Sequence, residues 1–535
     1  MGIAFTPTRP KELLWAAIAL SFLLIGCIAA GAARASETAK IDELMTTLSQ
    51  RGQFNGAILV AVRGEVIYRK GFGKADFQTG ANFTPDTSSN IGSLTKQFTA
   101  MAIMILAEQG KLNYDDPVSR FIPEFSHSAH LSQITLRQLL NHTSGIPDYG
   151  DLGVDDSGLD PQGLIAALIK REDLLAKPGL AYRYSNPGYA LLGIVVGRVS
   201  GMRFGDFLER EIFAPAGMIN TFVYDRLAKK NAGSAVGYSQ FGQADDGGPT
   251  AIPGDGGIYS TVNDLSKWDQ ALYTDKLVSQ STLAEAFTPG KVQNGTLTYG
   301  FGWNVAEDDG GKYLWHSGSN AGFRAFISRR LVDKVAVIIL TNKGNSKRQE
   351  INAAIQNILA DRPYVLPKQS GAEKLYEIIH ESGIRAALEQ YRTLKRSGDF
   401  DLGESELNTL GYQLLYGDKR AADAVAIFKL NAIEHPVSSN AFDSLGEAYR
   451  VNGENNLAVI SYRFAMLLDP SNGHSAAELK KLKLGGSFWL ASLTICGIAA
   501  LIVLAIVFHR KRNKSAKLSD SDLSIEEERR STSGP

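Results

Sequence analysis

The sequence is poor in cysteine, with two in 535 residues. Cys27 lies in an apolar stretch near the N-terminus, and Cys496 lies in another near the C-terminus. The chain between them therefore cannot contain a disulfide, a thiolate metal site or a cysteine nucleophile. A region of this length can bury enough apolar surface to be stable without such cross-links.

The sequence also lacks net charge. Its 56 Lys and Arg residues balance 56 Asp and Glu residues, and no long block of one sign interrupts the body of the chain. This balance does not point to nucleic acid, and we expect no nucleic-acid partner. The eight histidines form no His-Glu-x-x-His motif and have no cysteine cluster beside them, so we expect no metal site and no cofactor.

Near the start of the chain, two basic residues precede an apolar run over residues 13–33, which leads into the sequence Ala33-Arg34-Ala35. This order is typical of a secretory signal, here residues 1–35. Two alternatives stay open. The run is long enough to remain in the membrane as an N-terminal anchor. The four residues that end at Cys27 also resemble a lipoprotein box, which would place a lipid on that cysteine.

A second run without charge, residues 487–508, predicts a transmembrane helix, because about 20 apolar residues cross the hydrocarbon core of a bilayer. Basic residues follow at once and favour a cytoplasmic C-terminus. The tail over residues 509–535 is rich in serine and charge, which predicts disorder. We therefore expect a single-pass protein of the bacterial cytoplasmic membrane whose body is periplasmic or extracellular.

Residues 36–362 show β-patterned runs at both ends with helices and loops between them. Such runs begin near Ala57 and return between Trp303 and Leu340, and a largely apolar helix is predicted from about Ser93 to Gln109. This order predicts an α+β fold whose sheet joins the N- and C-terminal parts of the domain.

Residues 363–369 are typical of a linker, and residues 370–484 predict helices that repeat. Three positions recur 34 residues later: Ala424, Phe428 and Pro436 return as Ala458, Tyr462 and Pro470. The pattern resembles the tetratricopeptide repeat, a pair of helices stacked on the next pair. A weaker helical pair is predicted around residues 373–396. This region would bind a protein or peptide partner.

The chemistry is indicated by motifs at three places. Ser93 and Lys96 form a Ser-x-x-Lys, and one helical turn would place both side chains on the same face. Tyr184 and Asn186 form a Tyr-x-Asn before an apolar helix, and residues 316–318 read His-Ser-Gly at the end of a strand. Alone, the Ser-x-x-Lys would indicate a helix cap with a solvated lysine, since roughly one or two occur by chance in a chain this long.

In this order the motifs resemble the serine β-lactamase and penicillin-binding-protein family, and especially its class C branch of β-lactamases, D-Ala-D-Ala carboxypeptidases, D-aminopeptidases and esterases. The resemblance covers about residues 41–360 and includes the stretches 139–146, 256–265 and 299–303. It implies a β-lactamase-like antiparallel sheet with flanking helices and an all-helical lobe. It also implies a serine hydrolase that forms an acyl-enzyme with an ester, a D-amino-acid peptide or a β-lactam-like amide.

The resemblance implies a role for each motif residue. Ser93 would be the nucleophile, and Lys96 and Tyr184 would share its activation, with the base left open between them. Asn186 would orient Lys96 and hold the substrate amide. The residues that would bind substrate or oxyanion are His316, Ser317, Gly318 and Ser319. Backbone N–H groups of the nucleophile and of the last of these would form the oxyanion hole.

Two histidines bear on the mechanism. His142 could be the base of a Ser-His-Asp triad with Ser93, although the His-Thr-Ser-Gly sequence that contains it recurs in this family as a structural turn. Many β-lactamases carry Lys-Thr-Gly where this chain has His-Ser-Gly, beginning at His316. Family members with histidine there are often peptidases or esterases, which argues against efficient β-lactam hydrolysis.

The alternative to an enzyme is a receptor or scaffold. It would use the same pocket to bind a ligand or a peptidoglycan fragment without turnover, with the repeats as a partner-binding module. The complete set of catalytic motifs favours the enzyme, and the short cytoplasmic tail contains no visible output domain. We therefore expect a small-molecule or peptide substrate, for which the cell wall is one source.

Overall fold

The computed structural model describes residues 34–482, except 155–157, 172, 228–229, 291, 294, 296 and 309. The chain divides into two compact units, the first ending at Pro367 and the second beginning at Lys368. Within the described ranges, no helix is both long enough and apolar enough to cross a membrane. The apolar runs 13–33 and 487–508, on which the membrane predictions rest, lie outside the described residues.

The first unit is built on a six-stranded antiparallel sheet. The strands of the unit are β1 (Gly56–Val62), β2 (Glu65–Phe72), β3 (Ser89–Asn90), β4 (Phe222–Val223), β5 (Ile258–Ser260), β6 (Asn304–Asp308), β7 (Gly311–Asn320), β8 (Phe323–Arg330) and β9 (Val335–Thr341). The large sheet has the order β2-β1-β9-β8-β7-β6, and a small sheet has the order β3-β5-β4. Because β1 pairs with β9, the prediction of a sheet shared by both ends of the domain is confirmed.

Helices pack on both faces of the large sheet. The helices of the unit are α1 (34–50), α2 (Thr95–Glu108), α3 (Leu136–Leu140), α4 (Tyr149–Leu152), α5 (Pro161–Lys170), α6 (Asn186–Ser200), α7 (Phe204–Leu208), α8 (Ala214–Ala216), α9 (Val262–Ala271), α10 (Gln280–Ala286) and α11 (Arg348–Leu359). A 3-10 turn over Gly92–Leu94 leads directly into α2. The α+β fold with an antiparallel sheet is therefore as predicted.

The two-sided burial of the sheet follows from the sequence of β1. Successive side chains of a strand point to opposite faces. Ala57, Leu59 and Ala61 belong to the core that contains α2, whereas Ile58 and Val60 belong to the core that contains α1 and α11. A strand with both faces covered requires a continuous apolar run rather than an alternating one, and β1 provides it.

The helix α2 is the centre of the larger core. Every side chain from Thr95 to Leu106 is buried, so its surroundings are apolar on most sides. Lys96 is among them, with an exposed fraction of 0%. A buried polar group is costly unless it is hydrogen-bonded, and the partners of Lys96 therefore define the site described below.

The second unit is helical apart from two short parallel strands, β10 (Gln369–Ser370) and β11 (Phe400–Asp401). Its helices are α12 (Gly371–Ser397), α13 (Glu404–Tyr412), α14 (Ala421–Glu434), α15 (Ser439–Val451), α16 (Asn455–Leu468) and α17 (Gly473–Lys481). The helical pair predicted around residues 373–396 corresponds to α12, whose two halves meet at Gly383, where φ is 85° and the backbone is not helical.

One close contact occurs in both of the next two helix pairs. A Cβ on Gly411 of α13 would lie 2.5 Å from the ring of Phe428 in α14, and a Cβ on Gly446 of α15 would lie 2.8 Å from the ring of Tyr462 in α16. In each pair the missing side chain lets the helices approach, and the aromatic ring fills the space between them.

We expect Gly446→Ala to lower the free energy of unfolding of the second unit by about 1–3 kcal/mol, because the added methyl group would overlap the Tyr462 ring. Gly473→Ala is the matched control, since this glycine begins α17 and, apart from its chain neighbours and its own helix backbone, no atom of the described residues lies within 4 Å of the place that its Cβ would occupy. Thermal unfolding of both variants, followed by circular dichroism, measures the difference. Equal unfolding midpoints would contradict the packing described.

Candidate active site

Ser93 lies in the turn that leads into α2, and two glycines bring β7 against this turn. Gly92 has a φ of 52°, and a Cβ there would lie 2.6 Å from the backbone nitrogen of Ser319. A Cβ on Gly318 would lie 1.9 Å from the carbonyl oxygen of Ile91. Only glycine allows both approaches, which explains the glycine of the His-Ser-Gly motif. Ser319 is thereby placed beside the turn that contains Ser93.

Lys96 connects the first two motifs. Its Nζ lies 3.1 Å from Ser93 Oγ, 2.8 Å from Asn186 Oδ1 and 2.8 Å from the carbonyl oxygen of Asp255. The Asn186 and Asp255 oxygens can only accept, so they bind two hydrogens of this nitrogen in either charge state. The third position on the Lys96 nitrogen faces Ser93 Oγ. It holds a proton when Lys96 is an ammonium and a lone pair when Lys96 is an amine. Lys96 can therefore exchange a proton with Ser93 Oγ.

Tyr184 lies next to Lys96. The Lys96 Nζ is 5.0 Å from the centre of the Tyr184 ring, within the range of a cation–π contact. Tyr184 is 36% exposed, and in the part of the chain that the structure describes its hydroxyl makes no hydrogen bond. This hydroxyl can therefore bind water or substrate without first breaking a protein contact.

His142 is buried against Tyr184, with ring centres 4.2 Å apart. The backbone N–H of Ser185 donates to His142 Nδ1 at 3.2 Å, so the neutral ring has its proton on Nε2. Burial holds the pKa of His142 well below its usual value. A base must offer a free acceptor nitrogen to Ser93, and the only acceptor nitrogen of His142 is already bound. This geometry argues against the Ser-His-Asp interpretation.

His316 is 3% exposed and uses both ring nitrogens inside the protein. Nδ1 lies 2.8 Å from the carbonyl oxygen of Ser317, which only accepts, so Nδ1 has the proton. Nε2 then accepts from the Tyr299 hydroxyl at 2.8 Å. Burial, followed by the charge of Lys96, lowers the pKa of His316 to about 3. His316 is therefore uncharged at neutral pH.

Two arginines lie at the same edge of the site. Arg348, the first residue of α11, donates from Nη2 to Ser319 Oγ at 2.9 Å. Arg324 on β8 is directly opposite Ser319 in the strand pairing. Burial and the nearby charge of Arg324 lower the pKa of Arg348 to about 10. Among the described residues, neither guanidinium forms an ion pair with a carboxylate.

The structure thus brings together residues from all three motifs, and it adds partners that the motifs do not reveal. Asp255 contacts Lys96 through its backbone carbonyl, so the identity of its side chain could not have indicated this role. Tyr299 lies in a stretch that supported the family resemblance without a role of its own. Two other partners also had no role in the sequence analysis: Asp148, whose carboxylate accepts from the Asn186 amide, and Arg348, which donates to Ser319. Only folding brings them to the site, and no local pattern could have found them.

Comparison with known proteins agrees with this fold and geometry. The family model described as beta-lactamase matches residues 40–360, more than half of the chain. The chain therefore belongs to the beta-lactamase family and is a serine hydrolase of the type that also includes penicillin-binding proteins. It is 34% identical over 360 residues to penicillin-binding protein 4* of Bacillus subtilis (strain 168), which covers 62% of this chain and 78% of that protein.

Solved structures show the same fold. The octameric penicillin-binding protein homologue from Pyrococcus abyssi aligns with a TM-score of 0.54 and 27% identity over 64% of this chain and 81% of that chain. A penicillin-binding protein from Bacillus halodurans aligns with a TM-score of 0.53 and 27% identity over 59% of this chain and 98% of that chain. A class C beta-lactamase, at 23% identity and a TM-score of 0.54, shares the fold over 62% of this chain and 97% of its own.

We expect the free energy of unfolding to fall as the pH drops below about 6.5, because burial keeps His142 and His316 neutral. The unfolded chain then binds protons that the folded chain does not, so each histidine lowers the stability by up to about 1.4 kcal/mol per pH unit. For His316 the loss continues down to a pH of about 3.

Urea unfolding from about pH 8 to about pH 4 measures this slope. His316→Gln should make the slope shallower, whereas His127→Gln, at an exposed position, should leave it unchanged. A wild-type stability that is constant across this range would show that these histidines are not held neutral.

Proposed function

We propose that the first unit hydrolyses an ester or an amide through an acyl-enzyme on Ser93. The observation that supports this most directly is the 3.1 Å contact between Lys96 Nζ and Ser93 Oγ. A serine hydroxyl needs a base to remove its proton before it can attack a carbonyl carbon. Lys96 contacts this hydroxyl directly and can take its proton. The centre of the Tyr184 ring lies 5.0 Å from Lys96 Nζ, and its hydroxyl, which makes no hydrogen bond within the described residues, is available to pass the proton on to the leaving group.

The reaction proceeds in two halves. Ser93 Oγ attacks the substrate carbonyl carbon while its proton passes to the Lys96–Tyr184 pair, and the backbone N–H groups of Ser93 and Ser319 stabilise the oxyanion. The pair then donates this proton to the departing alcohol or amine, which leaves an ester on Ser93. Water, activated by the same pair, hydrolyses the ester and restores the free serine. Asn186 holds Lys96 in place throughout.

Ser93→Ala should abolish covalent labelling by a fluorophosphonate and reduce turnover of a p-nitrophenyl ester by several orders of magnitude, because the attacking oxygen is lost. Intact-mass spectrometry and the ester assay measure both effects. Ser281→Ala, an exposed serine on α10, should behave as wild type. Continued labelling of the Ser93→Ala protein would overturn the assignment, and an acyl group from the p-nitrophenyl ester that stays on Ser93 without release would favour a receptor without turnover.

The substrate, in this proposal, has an anionic group next to the scissile bond. His316 is uncharged and has no free nitrogen, so it does not supply a cation to the substrate. Arg348 and Arg324 place positive charge at this edge. Among the described residues neither forms an ion pair, although Arg324 also feels the charge of Asp245. Arginine binds carboxylates well because its guanidinium offers parallel N–H donors. A cell-wall peptide ending in a D-amino acid has such a carboxylate, and so does the penicillin in the names of the relatives.

We expect Arg348→Gln to lower kcat/KM for a carboxylate-bearing peptide about tenfold more than for a neutral ester, because only the former loses a charge-assisted hydrogen bond. The two substrates are compared in the same preparation. Arg120→Gln is the control, since this arginine pairs with Asp116 on the surface. An equal loss for both substrates would contradict carboxylate recognition by Arg348.

We further propose that the chain is anchored in the bacterial cytoplasmic membrane with the hydrolase unit outside. This rests on the apolar runs 13–33 and 487–508 and on the basic residues that follow the second run. A periplasmic reporter that is active when fused after Arg512 would refute this orientation.

We also propose that the second unit consists of tetratricopeptide-like repeats that bind a protein or peptide. The repeated contact of glycine with an aromatic ring, Gly411 with Phe428 and Gly446 with Tyr462, supports the repeat. Helix pairs that stack in this way form an extended surface suited to binding.

A further inference from the structure

Asp148 contacts the end of the Asn186 side chain that Lys96 does not. Its Oδ2 accepts from Asn186 Nδ2 at 3.2 Å, and its Oδ1 accepts from the backbone N–H of Asn186 at 3.1 Å. The amide oxygen of the same side chain accepts from Lys96 at 2.8 Å. Asp148, Asn186, Lys96 and Ser93 thus form one continuous chain of hydrogen bonds.

The carboxylate of Asp148 determines which way the Asn186 amide points. Both carboxylate oxygens can only accept, so the amide nitrogen must face Asp148 and the amide oxygen must face Lys96. If the amide were reversed, its N–H₂ group would face the Lys96 nitrogen, and a donor would lie against a donor whenever Lys96 is an ammonium. Lys96 would then lose one of its three partners inside the core.

We propose that Asp148 is a positioning residue for the reaction at Ser93, acting through Asn186, a role that rests on the function proposed above. It keeps the Asn186 oxygen directed at Lys96. It also polarises the amide, because hydrogen bonds in a chain strengthen one another in a medium of low dielectric constant. Both effects stabilise the ammonium that forms when Lys96 takes the proton of Ser93.

A purely structural role for Asp148 predicts a different outcome. The same carboxylate lies at the N-terminus of α6, a 15-residue helix, where a negative charge is favourable. If this were its whole contribution, its loss would reduce stability and activity together, and no change at Asn186 would restore activity. The experiment below separates the two roles.

Asp148→Asn keeps the size of the side chain but introduces a donor where Asn186 already presents donors. We expect the rate of Ser93 acylation, measured with a fluorophosphonate and as kcat for an ester, to fall by about 10- to 100-fold, the scale of a small misplacement in an active site. KM should change little, and the unfolding midpoint should fall by no more than it does in the control variant, which also loses a carboxylate at a helix N-terminus. Asp160→Asn is the matched control, because Asp160 also accepts a backbone N–H, that of Gly163 at 2.7 Å, at the start of a helix.

The decisive variant combines Asp148→Asn and Asn186→Asp, so that the two side chains exchange places. The carboxylate at position 186 can accept from Lys96 with one oxygen and from the new amide at position 148 with the other. The oxygen of that amide can accept the backbone N–H of residue 186. Every hydrogen bond of the wild-type site is thereby restored. The bond between the two side chains now runs from the amide at position 148 to the carboxylate at position 186, and the second carboxylate oxygen still accepts from Lys96. We expect acylation to recover at least tenfold relative to Asp148→Asn alone.

Three outcomes would overturn the proposal. The first is wild-type acylation in Asp148→Asn. The second is a loss of acylation that matches a loss of stability. The third is a loss of fluorophosphonate labelling that the exchange does not rescue, since this probe has no amide for the residue at position 186 to hold. Failure of the wild-type protein to be labelled at Ser93 would instead refute the proposed function, and the positioning role with it, so the two failures are distinguishable.

Discussion

The burial of Lys96 is the constraint on which the rest of the site depends. A buried nitrogen without partners would cost several kcal/mol, and a lysine on a fully buried helix cannot turn to solvent. Its three partners come from the serine turn, from the start of α6 and from the loop that contains Asp255. The fold must therefore hold these three segments together around α2. The geometry needed for proton transfer follows from satisfying the same hydrogen bonds.

Close backbone contacts make this arrangement rigid. Gly92 and Gly318 let β7 lie against the serine turn. Gly254 places its carbonyl oxygen 2.6 Å from Thr99 Oγ1, one turn of α2 after Lys96. In each contact at least one partner is a backbone atom of the sheet, the serine turn or the loop, and backbone atoms move little compared with side chains. This chain thus holds its reacting groups with close contacts that glycine permits at Gly92 and Gly318.

Much of the fold could be predicted from local patterns. The continuous apolar runs of β1 and β9 predict strands covered on both faces, and the apolar sequence after Ser93 predicts a buried helix. The protonation of the histidines could not be predicted in this way. His316 and an exposed histidine have the same letter in the sequence, but burial and the acceptor carbonyl of Ser317 make His316 a neutral ring with a defined tautomer.

The sequence by itself determined the order of the motifs, the strands and helices that contain them, and the family, because these depend on spacing along the chain. Only the tertiary structure decided which groups act on those motifs. Asp148 lies 38 positions from Asn186, and Asp255 lies 159 positions from Lys96. A hydrogen bond requires its two atoms to lie about 3 Å apart, and for residues so distant in the chain that proximity is a property of the fold alone.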